Sequence, residues 1–358
     1  MKFTIDKSVL FKGINKVQRA SDRRSALPCL KGILMETHGE ALILTSTDLS
    51  LTIQHIIHDF VPQEYGRSLV PAKLFNDLLR KLSGLITIET FDDKLRLSCG
   101  ELTATINAMD DEEFPTIPAI LTLKELCLPT KVLKSALNKT IHCTSPNDTR
   151  PIFNGILFKA EENLINFVAT DTHRMAVFSY PIDNRVEVNA VIPSKAIKAM
   201  INVFDDDVVN MQFDKDFSVF NCGETRVLTR LIEGEFPNYK AVIPSGPIAK
   251  FTVGKTILKS SIDRASIFCE KYYQIVRMSG ESSLSVSGSS DLFGEVKEII
   301  MVDHEGETVK VAFNSEFLLQ AINSTSEERL SFNYFGSNSP LTICEDNYTQ
   351  LILPVRVD

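Results

Sequence analysis

An α+β chain of three matched domains, each built from two β-α-β-β-β units, is the fold class this sequence predicts. Three observations carry it. Landmarks recur with a step of about 120 residues, strand-period and helix-period segments follow the same order in successive thirds, and the joins between thirds are short and proline-bearing. Leu10, Leu133 and Leu258, each opening a helix-like segment, lie 123 and 125 positions apart. Asp48 recurs as Asp171 after 123 positions, and Phe114-Pro115 as Phe236-Pro237 after 122. Pro71 recurs as Pro193 after 122 and as Asn314 after a further 121. Cys99 recurs as Cys222 after 123 and as Cys344 after 122. Landmarks in register over the whole chain place domains at 1–121, 122–247 and 248–358.

The first third shows the unit most clearly. Residues 2–6 read as a strand and 8–20 as a helix, followed by strands over 32–36, 41–45 and 51–60, the last two separated by Thr47-Asp48 turn chemistry. A second unit opens at Ser68-Leu69-Val70, and its helix over 72–82 is begun by Pro71, where a missing N–H costs little. Strands over 87–90, 94–98 and 102–108 complete it. Six such units fit in the chain, joined by linkers such as Ile117-Pro118-Ala119 and Ile243-Pro244-Ser245-Gly246-Pro247.

Composition sets limits. An apolar fraction of 44% with 23% charged residues is that of an ordinary globular chain. The seven cysteines show no CxxC pairing, which favours buried free thiols in a reducing cytoplasm over a disulfide framework. The N-terminus lacks the apolar core of a signal peptide and no run reaches membrane-spanning length, so a cytoplasmic location with no membrane partner is expected.

A net charge of −8 counts, as a bulk figure, against nucleic-acid binding, but the charge is unevenly placed. Acidic residues gather in loop-like stretches such as Asp205-Asp206-Asp207, whereas bases recur on five of the six predicted helices. At about 100° per residue, Val9, Leu10, Gly13, Ile14 and Val17 share one arc of the first helix while Lys12, Lys16 and Arg19 lie opposite. Lys131 and Lys139 oppose the apolar stripe of the second domain's counterpart, and Arg264 that of the third. Two readings stand: solvated outer faces of helices that cover a sheet, or a repeated basic surface.

The one dense polar motif is Ala169-Thr170-Asp171-Thr172-His173-Arg174-Met175. Asp, His and Arg could do acid–base work, which leaves open a hydrolase centred on Asp171 and His173, or a repeat scaffold without a nucleic-acid role. No nucleophile motif, phosphate-cradling Gly-rich loop or metal-ligand spacing accompanies the motif, and the matching first-domain Thr47-Asp48-Leu49-Ser50 keeps only the Asp. The Asp therefore reads as a turn residue bonding its own backbone, and no catalytic residue, cofactor or metal is expected.

Several segments together carry a resemblance. Met1-Lys2-Phe3-Thr4, Arg24-Ser25-Ala26-Leu27-Pro28, Phe153-Asn154-Gly155-Ile156-Leu157-Phe158 and the 169–175 motif resemble the bacterial DNA polymerase III beta subunits, the replicative sliding clamps. So do Glu235-Phe236-Pro237-Asn238-Tyr239, Phe313-Asn314-Ser315-Glu316-Phe317 and the closing Leu351-Ile352-Leu353-Pro354-Val355-Arg356-Val357. The resemblance runs in order through the whole chain. It implies the three-domain DNA clamp fold: a head-to-tail homodimer ring, helices lining the hole and antiparallel sheets outside. Such a ring is a non-enzymatic processivity factor that encircles duplex DNA without reading sequence. It tethers the DNA polymerase III catalytic subunit and binds the clamp loader, other polymerases and repair proteins through short linear motifs.

Site residues follow from the same resemblance. DNA-facing positions are Arg24, Lys73, Arg80, Asn147, Arg150, Lys195 and Lys198, with Lys12 and Lys16 of the first helix. The groove for partner peptides is walled by Phe153, Thr170, Thr172, His173, Arg174, Met175, Pro237, Val242, Asn314, Phe317, Ile352, Leu353, Pro354, Val355 and Arg356. The dimer contact involves Thr103, Ala104, Ile106, Ile267 and Phe268. Thr172 and Ala241 stand where some members carry Gly and a basic residue, and Ala104 is small for an interface.

Overall fold

The computed structural model describes residues 1–118, 124–145, 149–183, 186–270 and 274–356. The chain divides into two compact units, Met1–Lys134 with Lys195–Leu231, and Ser135–Ser194 with Ile232–Asp358. Its helices are α1 (Lys7–Val17), α2 (Ala72–Arg80), α3 (Thr130–Thr140), α4 (Ser194–Val203), α5 (Lys255–Ile267) and α6 (Ser315–Ser324).

The first unit holds two antiparallel sheets. The larger runs Lys124–Pro129, Val208–Phe213, Phe217–Cys222, Thr225–Arg230, Leu51–Ile57, Ala41–Thr47, Gly32–His38, Gly66–Pro71. The smaller runs Val61–Glu64, Lys2–Asp6, Leu85–Phe91, Lys94–Cys99, Leu102–Asn107. The Asp6 carboxylate caps α1 by accepting the Ser8 N–H at 2.8 Å. Leu10, Ile14 and Val17 of α1 are fully buried. Gly13 lets the helix lie close over the sheet, since a Cβ there would come 2.7 Å from Leu44. On α2 the buried set Ala72, Phe75, Asn76 and Leu79 follows the helical period and leaves Lys73, Asp77 and Arg80 outside.

The expected strand over 51–60 ends at Ile57, and a further strand that was not expected follows it. Leu51–Ile57 stays in the larger sheet, and after a turn Val61–Glu64 joins the smaller one beside Lys2–Asp6. The expected helix over 8–20 is α-helical to Val17 and tightens to 3₁₀ over Gln18–Ala20. Sheet pairing crosses the repeat: Thr225 pairs with His55 and Thr229 with Leu51, so a strand from the second third extends the first third's sheet.

The second unit repeats the plan. Its larger sheet runs Val188–Pro193, Gly155–Glu161, Leu164–Thr170, Arg174–Pro181, Tyr348–Ile352, Leu341–Glu345, Arg329–Tyr334, Ala249–Gly254, Asp303–Gly306. The smaller runs Gly294–Met301, Ser283–Ser290, Ile275–Gly280, Val309–Asn314. Here Arg174 pairs with Ile352 and Phe178 with Tyr348, which sets the chain's last strand beside the 169–175 motif. The core includes a stacked Phe251–Phe332 pair with ring centroids 4.7 Å apart. All seven cysteines are free; Cys29, Cys143, Cys222 and Cys269 are buried as expected, but Cys127 and Cys344 are exposed and Cys99 half-buried.

Candidate peptide groove and nucleic-acid interface

The 169–175 motif is a tight hairpin turn between Leu164–Thr170 and Arg174–Pro181. One Asp171 oxygen accepts the N–H groups of His173 at 2.9 Å and Arg174 at 3.0 Å, and the Thr170 hydroxyl donates to the Arg174 carbonyl at 2.8 Å. Thr172 at the tip has φ +73°, the left-handed region that a β-branched side chain adopts only under strain. That geometry explains why Gly would be expected there.

Arg174 is fixed on three sides. Its Nε donates to Asp171 at 2.9 Å, its Nη1 donates to Gln320 of α6, and its guanidinium lies 4.2 Å above the Phe317 ring. Asn314 prepares that ring by capping α6, accepting the N–H groups of Glu316 at 2.9 Å and Phe317 at 3.2 Å. His173 stacks over Phe317 with centroids 6.2 Å apart, and its carbonyl accepts the Leu353 N–H at 2.8 Å. Among the described residues the His173 ring makes no hydrogen bond to Asp171.

Beside this turn lies a groove of about 260 Å³, lined by Phe153, Thr170, Thr172, Arg174, Met175, Phe236, Pro237, Asn238, Tyr239, Val242, Pro340, Leu351 and Leu353. Phe153 and Phe236 meet edge to face at 6.5 Å. Val242 and Leu353 leave 54% and 39% of their surface exposed, so the groove presents apolar surface to solvent. Eight of the expected residues meet here. The structure corrects Ile352, which is 1% exposed and packs into the second unit's core, where strand alternation turns it away from Leu351 and Leu353. His173, Asn314 and Phe317 do not line it; His173 stacks on Phe317, Asn314 caps its helix, and the Phe317 ring lies under Arg174. Pro354, Val355 and Arg356 follow the wall, with the Val355 N–H donating to the Ala312 carbonyl at 2.8 Å. Sequence reasoning missed Phe236, Asn238, Tyr239, Leu351 and Pro340; the first four lie inside or beside quoted segments, whereas Pro340 carries no signal. Lys240 is held by Glu161 at 2.6 Å and position 241 is Ala, so the groove's cationic group is the neutralised Arg174.

The expected DNA-facing residues separate into three kinds. Arg24, Lys73, Arg80 and Lys198 are exposed, and among the described residues none forms an ion pair. Lys12 lies 2.9 Å from Asp205, Lys195 is held by Asp48, and Arg150 sits 4.5 Å above the Phe153 ring. Lys16 corrects the expectation: it is 7% exposed, with its ammonium 2.8 Å from Asp205 and donating to Thr225 at 3.1 Å. The helical wheel sets it opposite the core, but Asp205 and Thr225, 189 and 209 positions away, close over it. Lys139 of α3 is likewise buried, 2.5 Å from Glu345, and Arg264 lies 2.7 Å from Glu298. Asn147 lies outside the described residues, with Pro146, Asp148 and Val357.

At the expected dimer contact, Leu102–Asn107 and Gly294–Met301 are terminal strands of their sheets. Thr103 and Ile267 are exposed and Ala104 and Phe268 half-buried. Ile106 corrects the expectation, since alternation turns it into the core at 5% exposure.

Among the described residues, no helix is long and apolar enough to cross a membrane, and no group of three or more His, Cys, Asp or Glu side chains could hold a metal ion. Family models for the N-terminal, central and C-terminal domains of the DNA polymerase III beta subunit match residues 1–118, 127–238 and 240–356. Beta sliding clamps of Staphylococcus aureus and Staphylococcus epidermidis are each 28% identical, over 99% of this chain and 99% of theirs. The DNA polymerase sliding clamp of Bacillus subtilis superposes with a TM-score of 0.94 at 26% identity, covering both chains completely. The DNA polymerase III beta subunit of Pseudomonas aeruginosa also gives 0.94, at 24% identity and full coverage. The chain therefore belongs to the DNA polymerase III beta subunit family, the sliding clamps that act as non-catalytic processivity factors in DNA replication.

Proposed function

We propose that this chain acts as a head-to-tail homodimer ring, with domains at 1–121, 122–247 and 248–358. The ring encircles duplex DNA and carries the polymerase III catalytic subunit, the clamp loader, other polymerases and repair proteins by their short linear motifs. The observation that carries the partner reading is the groove. Solvent-facing apolar walls meet a rigid Arg174 platform, which suits a peptide with apolar anchors and a few hydrogen-bonding groups. Met175 in its wall adapts to varied anchors.

Ring closure is supported by the two terminal strands. Leu102–Asn107 of one copy and Gly294–Met301 of a second would join edge to edge, removing open strand edges that otherwise invite aggregation. Exposed Ile299 and Met301 lie on the second of these strands, with Ile267 on neighbouring α5. Arg24, Lys73, Arg80 and Lys198 would meet backbone phosphates, giving sequence-independent and salt-sensitive contact. Sedimentation equilibrium tests the closure: the expected mass is twice 40.0 kDa, and a 40.0 kDa species at micromolar concentration would contradict the ring. A fluorescent clamp-binding peptide tests the groove, with saturable binding expected to full-length protein and binding lost in Arg174→Ala. Unchanged affinity in that variant would move the peptide elsewhere.

A further inference from the structure

Helix α1 turns Lys12, Asn15, Lys16 and Arg19 toward a cavity of about 380 Å³, bounded also by Asn202 and Asp205. This is a natural seat for a phosphate, yet two of its ammonium groups are already engaged. Asp205 Oδ2 lies 2.9 Å from Lys12 Nζ, and Oδ1 lies 2.8 Å from Lys16 Nζ. Lys16 is sealed in, whereas the Lys12 side chain is 68% exposed and accessible to a second anion. A carboxylate and a phosphate compete for the same ammonium protons, and a contact already satisfied inside the protein releases fewer DNA counterions. Lys73 and Arg80 on α2 have no such internal partner among the described residues, which makes α1 and α2 unlike in grip.

We propose that Asp205, anchored by buried Lys16, is an internal counter-ion, a positioning residue that holds Lys12 back from the phosphates of encircled DNA. This stretch of the lining then slides rather than brakes. The proposal rests on the reading that α1 faces DNA.

The test is equilibrium binding of the full-length protein to a short fluorescent linear duplex between 50 and 200 mM KCl. One added phosphate contact steepens the log–log salt slope by about 0.9, an extra loss of about 3.5-fold over that range. Asp205→Asn is expected to steepen the slope by about 0.9 and tighten binding at 50 mM, and Asp205→Glu to restore the original slope. Asp205→Asn strands buried Lys16 without its carboxylate, so Lys16→Met/Asp205→Asn, which buries no lone charge, is measured beside it with the same expectation. Adding Lys12→Gln should remove the gain in either background. An unchanged or shallower slope in the folded variants would overturn the role of Asp205. If Lys73→Gln and Arg80→Gln also left the slope unchanged, the DNA-facing reading itself would fall, and this proposal with it.

Discussion

The turn at residues 47–51 and the turn at residues 170–174 are the same device put to two uses. In both, a threonine hydroxyl accepts the N–H two residues on: Leu49 at 3.1 Å and Thr172 at 3.2 Å. In both, one aspartate oxygen accepts two backbone N–H groups, Ser50 and Leu51 for Asp48, His173 and Arg174 for Asp171. Both tips are left-handed, Leu49 at φ +76° and Thr172 at +73°. The difference is the aspartate's second oxygen. Asp48 uses it to hold Lys195 at the surface, while Asp171 uses it to lock Arg174 beside an apolar groove. The fold supplied the turn, and the neighbouring side chains turned one copy into a binding platform.

The largest contrast should come from breaking those two ion pairs. The Arg174 and Asp171 side chains are 8% and 10% exposed, whereas Lys195 is 51% exposed over an Asp48 that is itself 6% exposed. Removing one partner of a fully buried pair costs about 3–5 kcal/mol; the half-exposed pair should cost less, because buried Asp48 keeps its hydrogen bonds from Ser50 and Leu51 when Lys195 is removed. Arg174→Ala should therefore lower the second unit's denaturant midpoint sharply, and Lys195→Ala should lower the first unit's by less. Equal shifts would mean that the two turns are energetically alike.

Acid should reveal a resemblance instead. Burial, reinforced by Lys16, lowers His55 in the first unit from the ordinary 6.5 to about 4, and burial, reinforced by Arg174, does the same for His142 in the second. Each folded value lies below the unfolded one, so the stability held above pH 6.5 drains away as pH falls toward 4. The loss is about 3 kcal/mol for the more deeply buried His142 and less for His55, where solvent screens the charge. Asp48 extends the decline further in acid. Burial raises its pKa, but hydrogen bonds from Lys195, Ser50 and Leu51 outweigh that and leave it lowered, so its contribution disappears below the ordinary 3.8. Chemical denaturation at pH 7 and 5 should show the histidine loss, and His55→Asn and His142→Asn should each flatten it.

The smallest effect concerns the tips. Leu49→Gly and Thr172→Gly should each relieve the left-handed strain and stabilise by about 0.5–1 kcal/mol, read as a small rise in melting temperature. A gain at one tip alone would show that the turns are held differently.

Much of this was legible in the chain. The threefold step gave the domain pattern, and Asp171 was readable as a turn residue because Asp48 repeats without His or Arg beside it. Period alone placed α1 and α2. It could not reveal that Asp205 and Glu345 would cover Lys16 and Lys139, because those pairs join residues 189 and 206 positions apart. Val61–Glu64 was hidden by Pro62, which argues against a strand interior but is tolerated in a terminal strand of the sheet. Ile106 and Ile352 were misplaced for a simpler reason: motif matching set aside the two-residue alternation that turns both into the core.

The central claim is that the protein holds DNA by enclosing it, and its most direct test is retention on circular against linear DNA. Loaded with its clamp loader and ATP onto nicked circular plasmid, the protein should co-elute with the DNA at moderate salt and be released when a single cut linearises the plasmid. Equal retention on circular and linear DNA would contradict topological enclosure.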